Sequence, residues 1–119
     1  MVPQLPLSRF AEWLSSADAP SATLPIVLDV REPSEWQTAS VRENGFTLLT
    51  ISMRAIPAYL PELKATYGLE HPIACLCHHG MRSLQVASYL TQNGFANVVN
   101  LQGGIDAWSQ QVDASVPRY

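Results

Sequence analysis

The residues of this 119-residue chain best suited to chemistry lie in one run, Cys77-His78-His79-Gly80-Met81-Arg82-Ser83. A glycine-containing turn that leads into a helix presents backbone N–H groups in a concave nest, with the positive end of the helix dipole behind it. A thiol in such a nest is pushed toward thiolate, since cysteine pKa values fall from ~8.5 to ~3.5–7.5 beside helix N-termini and cations. Arg82 adds a permanently charged fork suited to oxyanions, and Gly80 permits backbone angles that a larger residue resists. The expected chemistry is that of an anionic sulfur nucleophile with an anionic substrate docked against it. The competing reading is a buried apolar thiol, the commonest state of cysteine.

For the turn to work, a strand must deliver Cys77 and a helix must start just beyond it. The pattern supplies both: Pro72 to Cys77 reads as a strand, and Ser83 to Asn93 as a helix with Leu84, Ala87 and Leu90 on one stripe and Gly94 at its end. Ile26 to Val30 is a β-branched apolar run of the kind buried on both faces of a parallel sheet, ending at Arg31-Glu32, and a short helix starts over Pro33 to Trp36. Phe46 to Ile51 is a further strand, followed by Ile56, Tyr59, Leu60, Leu63 and Tyr67 at helical spacing up to Gly68. Asn97 to Leu101 is another strand, and a last helix follows Gly103-Gly104. At the N-terminus, Leu7 to Ser16 reads as a helix with Ser8 as N-cap and Phe10, Trp13, Leu14 and Ala17 on its inner stripe, followed by a loop to Pro25. Strands alternating with helices over short connections predict a mainly parallel sheet covered by helices, with ligands bound beyond the carboxyl ends of the strands.

Two cysteines, Cys75 and Cys77, stand two positions apart. On a strand they share a face with Cα atoms about 6.6 Å apart and near-parallel Cβ vectors, so a bridge between them would be strained and free thiols are expected. Cys75 reads as a packed core thiol, with a resolving cysteine as the alternative. His71, Cys75, Cys77, His78 and His79 are the right ligand types for zinc, but adjacent residues diverge and no second cluster completes a tetrahedron, so no metal is expected. Solvated loop positions are the default reading for His78 and His79, with general acids as the alternative. Trp13, Trp36 and Trp108 read as core anchors, and Gly103-Gly104 as a turn rather than a phosphate loop, since no Lys-Ser/Thr follows.

Hydrophobic residues make up 47% of the chain and charged ones 14%, which argues for a compact globule with one core, and the expected organisation is a single domain over residues 1–119. The formal charge of −3, with 7 basic and 10 acidic residues and no basic run, lacks the footprint of a nucleic-acid or anionic-membrane binder. Residues 1–6 carry neither the basic start nor the apolar stretch of a signal peptide, and no segment reaches the ~18 apolar residues of a membrane span. A cytoplasmic monomer is the expectation.

Cys77 to Ser83 resembles the active-site loop of the rhodanese family: Cys, four residues that usually include Gly, then Arg and often Ser. Asp29-Val30-Arg31-Glu32-Pro33-Ser34-Glu35-Trp36 resembles the family's Asp-Val-Arg-Glu segment, and Asn100 to Trp108 its closing Gly-Gly and Trp motif. The likeness runs in order through almost the whole chain. One departure lies at Thr38 to Phe46, where many members carry His-Ile-x-Gly-Ala and this chain has no histidine. The resemblance implies a three-layer α/β fold with a mainly parallel five-stranded sheet flanked by helices, and a sulfurtransferase cycle that needs no cofactor. In that cycle Cys77 attacks the outer sulfur of a donor, thiosulfate or a persulfide, holds it as a persulfide of its own, and passes it to a thiol, cyanide or sulfur-carrier acceptor. His78, His79, Gly80, Met81 and Arg82 would contact donor and acceptor, while Asp29, Arg31 and Ser83 would support the loop. The tail, Val112 to Tyr119, resembles the end of rhodanese domains fused to the adenylating enzymes that load sulfur-carrier proteins. The alternatives are a non-catalytic interaction module of the same fold and a cysteine phosphatase; phosphatases place five residues between Cys and Arg, and here there are four.

Overall fold

The computed structural model describes residues 2–17 and 23–119, so part of the loop expected between Ser16 and Pro25 lies outside the described residues. Five strands form one sheet: β1 (Gln4–Pro6), β2 (Ile26–Asp29), β3 (Thr47–Thr50), β4 (Ile73–Leu76) and β5 (Val98–Gln102). Their order is β1-β5-β4-β2-β3, and every pairing is parallel. The helices are α1 (Phe10–Ser16), α2 (Pro33–Thr38), α3 (Ile56–Tyr67), α4 (Met81–Gln92) and α5 (Gly104–Gln111).

Strand periodicity sorts the core into two layers, because successive side chains point to opposite faces. Ile26, Leu28, Ile73 and Cys75 pack on one face with Ile56, Leu60 and Leu63 of α3 and Val86, Ala87 and Leu90 of α4. Val27, Ala74, Leu76 and Leu101 pack on the other with Phe10 of α1 and Ile105 and Trp108 of α5. There Trp108 and Phe46 flank Phe10 at centroid distances of 4.7 and 5.7 Å. The central strands β2 and β4 are buried at every position, which is why they read as continuous apolar runs.

The chain leaves β2 for β3 on one side of the sheet and β4 for β5 on the other. The carboxyl ends of β2 and β4, which lie side by side, therefore open a crevice where the strand order reverses. The segments that follow these two strands, 30–32 and 77–80, face each other across it.

Three sequence expectations need correction. Ser8 caps no helix: Leu7–Arg9 is a 3-10 turn that tucks Leu7 into the core, and α1 starts at Phe10 without a side-chain cap. The helix after the cysteine begins at Met81, two residues before Ser83, because Gly80 takes a left-handed conformation and serves as its N-cap. The strand expected at Phe46 to Ile51 is trimmed to Thr47–Thr50, and β1 is a strand that the residue pattern did not suggest.

The N-terminus of α5 is set directly against the turn after β4. The amides of Ile105 and Asp106 donate to the carbonyls of Cys77 and His78 at 2.8 and 3.2 Å. Gly104 makes this approach feasible, since a Cβ there would lie 2.4 Å from both carbonyl oxygens, and its φ is +62°. Gly104→Ala should therefore cost about 3 kcal/mol or more in urea denaturation. Gly45→Ala, at φ +81° with nothing within 4 Å of the added carbon, should cost only about 1–2 kcal/mol. Equal losses at the two sites would contradict the steric account.

Candidate active site

Cys77 lies one residue beyond β4, with 1% of its surface exposed. Its sulfur is not left in hydrocarbon: the Gly80 N–H donates to it at 3.0 Å and the Ser83 hydroxyl stands at 3.3 Å. Gly80 reaches this position through a φ of +107°, and a Cβ there would crowd the Gly103 nitrogen at 3.2 Å. Ser83 sits in the first turn of α4 and is fully buried.

Behind these two donors stands Asn100 of β5, itself buried. Its Oδ1 accepts from the Ser83 hydroxyl at 2.5 Å, and its Nδ2 donates to the Gly80 carbonyl at 3.1 Å and to Gln4 Oε1 of β1 at 2.8 Å. Both groups that touch the sulfur are thus held by one amide side chain. Ser83 has a single proton for two acceptors, the sulfur and Asn100.

Arg82 does not present a free fork. Its Nη1 and Nη2 donate to Glu35 Oε1 and Oε2 at 2.6 and 3.0 Å, a bidentate pair across the crevice from α2. Glu35 is fixed in turn by a reciprocal capping box with Glu32 and by the Tyr119 hydroxyl, which donates to Oε2 at 2.6 Å. The Arg82 guanidinium is the main reason its carboxyl is held down to about 2, so the pair stays charged at any ordinary pH.

Asp29 and Arg31 bind each other in full burial, with Nε and Nη2 donating to the carboxylate at 2.9 and 2.7 Å. The guanidinium also donates to the carbonyls of Ala39 and Glu35 and to the Tyr119 hydroxyl. The pair grips α2 and the C-terminal segment, and it connects to residues 77–83 through Glu35.

His79, His78 and Tyr119 form a stack, each neighbouring pair of rings 3.9 Å apart, and His78 Nε2 is 2.8 Å from the Tyr119 carbonyl oxygen. Met81, at the head of α4, is 71% exposed. Cys75 is buried on the same face as Cys77, and the loss of solvent pushes its thiol far up. Among the described residues, no group of three or more His, Cys, Asp or Glu is arranged to hold a metal ion, and no helix is long and apolar enough to cross a membrane.

The structure therefore gathers Cys77, Gly80 and Ser83 at the sulfur, pairs Arg82 with Glu35, and turns His78 against Tyr119. Glu35, Asn100, Gln4 and Tyr119 were not singled out as site residues from sequence. Two signals were present: an arginine close behind a candidate nucleophile calls for a counter-charge, and Asn100 is a polar residue set between the apolar Val99 and Leu101 of β5.

Residues 10–111 match the family described as the rhodanese-like domain. The chain is 39% identical over 93 residues, 78% of its length, to the Arabidopsis thaliana rhodanese-like/PpiC domain-containing protein 12, chloroplastic, and spans only 30% of that relative. It is 32% identical over 104 residues to the thiosulfate sulfurtransferase GlpE of Tolumonas auensis, covering 86% of this chain and 91% of that one. Among solved structures it superposes on SSP1007 from Staphylococcus saprophyticus with a TM-score of 0.69 at 27% identity, over 98% and 99% of the two chains. The buried sulfur after β4, the turn that donates to it and the fold around them are accordingly those of a chain that belongs to the rhodanese-like domain family.

Proposed function

We propose that the protein is a sulfurtransferase that carries sulfane sulfur on Cys77, within one domain spanning residues 1–119. The observation that carries this reading is the polar setting of the sulfur at the start of α4, where the Gly80 N–H donates to it at 3.0 Å and the Ser83 hydroxyl, whose one proton is shared with Asn100, stands at 3.3 Å. Donors aimed at a sulfur favour its anionic form, which is the nucleophilic one. The relatives named thiosulfate sulfurtransferase support the reaction class.

With thiosulfate as donor, the Cys77 thiolate attacks the outer sulfur, a new S–S bond forms, and the old S–S bond breaks with its electron pair leaving on sulfite. The product is a Cys77 persulfide whose outer sulfur stands about 2.05 Å further out, which brings the reacting atom toward the mouth of an otherwise buried site. A thiol, cyanide or sulfur-carrier acceptor then attacks that outer sulfur and regenerates the Cys77 thiolate. Two half-reactions on one nucleophile give ping-pong kinetics. The Gly80 N–H holds the charge on the Cys77 sulfur in the thiolate state, before attack and again after the acceptor has taken the outer sulfur, and His78, His79, Met81 and Arg82 line the approach.

Incubation with thiosulfate should add one sulfur atom to the intact mass. Cys77→Ser should abolish the gain and Cys75→Ser should preserve it, because Cys75 is sealed in the core. No gain in the parent protein would favour a non-catalytic interaction module. An aryl phosphate should not be hydrolysed, since four residues between Cys77 and Arg82 make a narrower loop than phosphatases use; turnover that depends on Cys77 would reverse the assignment.

A further inference from the structure

His78 follows the nucleophile directly, and Tyr119 holds its imidazole in two ways. The tyrosine ring lies parallel to it, with centroids 3.9 Å apart and 7° between the planes, while His79 stacks on the other face, also at 3.9 Å. His78 Nε2 stands 2.8 Å from the Tyr119 main-chain oxygen. That oxygen only accepts, so Nε2 carries the proton, and in the neutral ring Nδ1 is the lone-pair nitrogen. Tyr119 is itself anchored at its far end, where its hydroxyl donates to Glu35 Oε2 at 2.6 Å and accepts from Arg31 Nη1 at 2.9 Å. Nδ1 is bonded to Cγ and therefore lies on the side of the ring nearer the main chain that leads from Cys77; among the described residues it makes no hydrogen bond. The charged and titratable groups around the ring are Cys77, His79 and Arg82 from the loop and first turn of α4, Asp106 of α5, and Arg31 and Glu35 beyond Tyr119. Asp106 is held below the usual carboxylate range chiefly by Arg118, with His79 and His78 adding to the effect, so a proton gained by His78 is received beside a carboxylate.

We infer that His78 is the base that takes the proton of an acceptor thiol, at Nδ1, and that Tyr119 is the positioning residue that fixes the ring and tautomer for it. The inference rests on the sulfur-transfer reading above and adds the proton acceptor of its second half-reaction. A neutral thiol R–SH is a poor nucleophile and must lose its proton as it attacks. In this step the proton passes to Nδ1, the acceptor sulfur bonds to the outer sulfur of Cys77–S–SH, and the old S–S bond breaks with its electron pair on Sγ. R–SH, neutral His78 and Cys77–S–SH thus give R–S–SH, protonated His78 and the Cys77 thiolate, and no oxidant or reductant enters. The Gly80 N–H receives the thiolate that leaves. His79 lacks this preparation: it is exposed, and among the described residues neither of its ring nitrogens is tied to an acceptor that would fix a tautomer.

The test loads Cys77 with thiosulfate and follows the loss of the added sulfur in single turnovers with two acceptors, 2-mercaptoethanol and sulfite. At mildly alkaline pH sulfite is a dianion with no proton to lose, so the ratio of the two limiting rates reports proton removal and cancels a general loss of structure. His78→Gln keeps an N–H where Nε2 meets the Tyr119 oxygen but has no base in place of Nδ1. It should lower the thiol-to-sulfite ratio about a hundredfold. Tyr119→Leu, which removes the stacked ring and its anchored hydroxyl, should lower the ratio about tenfold, and Tyr119→Phe, which keeps the ring, should fall less. Imidazole nitrogen NMR should show neutral His78 with its proton on Nε2 in the parent protein and a mixture of tautomers in Tyr119→Leu. A His78→Gln protein with the parent ratio, or a parent His78 protonated on Nδ1 alone, overturns the base assignment and leaves sulfur transfer standing. A Tyr119→Leu protein with the parent ratio and the parent tautomer overturns the role of Tyr119. Failure of thiosulfate and of a small persulfide to load Cys77 would instead remove the sulfur-transfer reading and this inference with it.

Discussion

The arrangement around Cys77 depends on where the peptide groups of residues 77–80 point. A turn that aims N–H groups inward at a sulfur must send carbonyl oxygens the other way, and buried carbonyls need donors. Here the carbonyls of Cys77 and His78 are met by the first amides of α5, while the Gly80 N–H meets the sulfur. This division requires close backbone approaches, nearer than a Cβ allows at Gly104 against the two carbonyls and leaving a Cβ only a tight 3.2 Å at Gly80 against Gly103. A glycine pair that looks like a simple turn in the sequence is therefore half of the machinery that orients a loop twenty-odd residues earlier.

From this constraint the layers of the fold acquire distinct roles. The sheet order places the ends of β2 and β4 side by side, so α2 can send Glu35 across the crevice to Arg82 on α4. β5 sends Asn100 beneath the same loop, where it holds both Ser83 and the Gly80 carbonyl, and β1 at the sheet edge holds Asn100 through Gln4. The buried Asp29–Arg31 pair acts one step further back, by fixing α2 and Tyr119 rather than by touching the sulfur. Removing one partner of such a pair leaves an uncompensated buried charge, so its role in holding the architecture is as strong as any it has at the site.

Most of the fold was legible because its central elements are strongly patterned. β2 and β4 are continuous apolar runs, α3 and α4 carry clear stripes, and the run from Cys77 to Ser83 joins a strand to a helix. What escaped did so for local reasons. β1 is three residues long, ends in a proline and pairs only along one edge, so it shows no alternation. Ser8 has the chemistry of a cap, but burial of Leu7 draws the chain into a 3-10 turn first. At the site, sequence locates the nucleophile and the cation but not what the cation binds: Glu35 and Arg82 are 47 positions apart, and only the parallel register of β2 and β4 brings them together. Tyr119 lies 84 positions from Glu35 and 41 from His78, and no spacing rule links it to either.

The deep burial of Cys75 bears on how the protein would survive oxidative stress. A sulfenic acid on Cys77 is ordinarily rescued when a nearby thiol condenses with it, but the only other thiol of the chain points into the same apolar layer and is held strongly protonated. The pleat also sets the two sulfurs in near-parallel directions, which a disulfide does not tolerate. Repair of an oxidised Cys77 must therefore be intermolecular, and the chain depends on the reducing thiols of its surroundings to return to service.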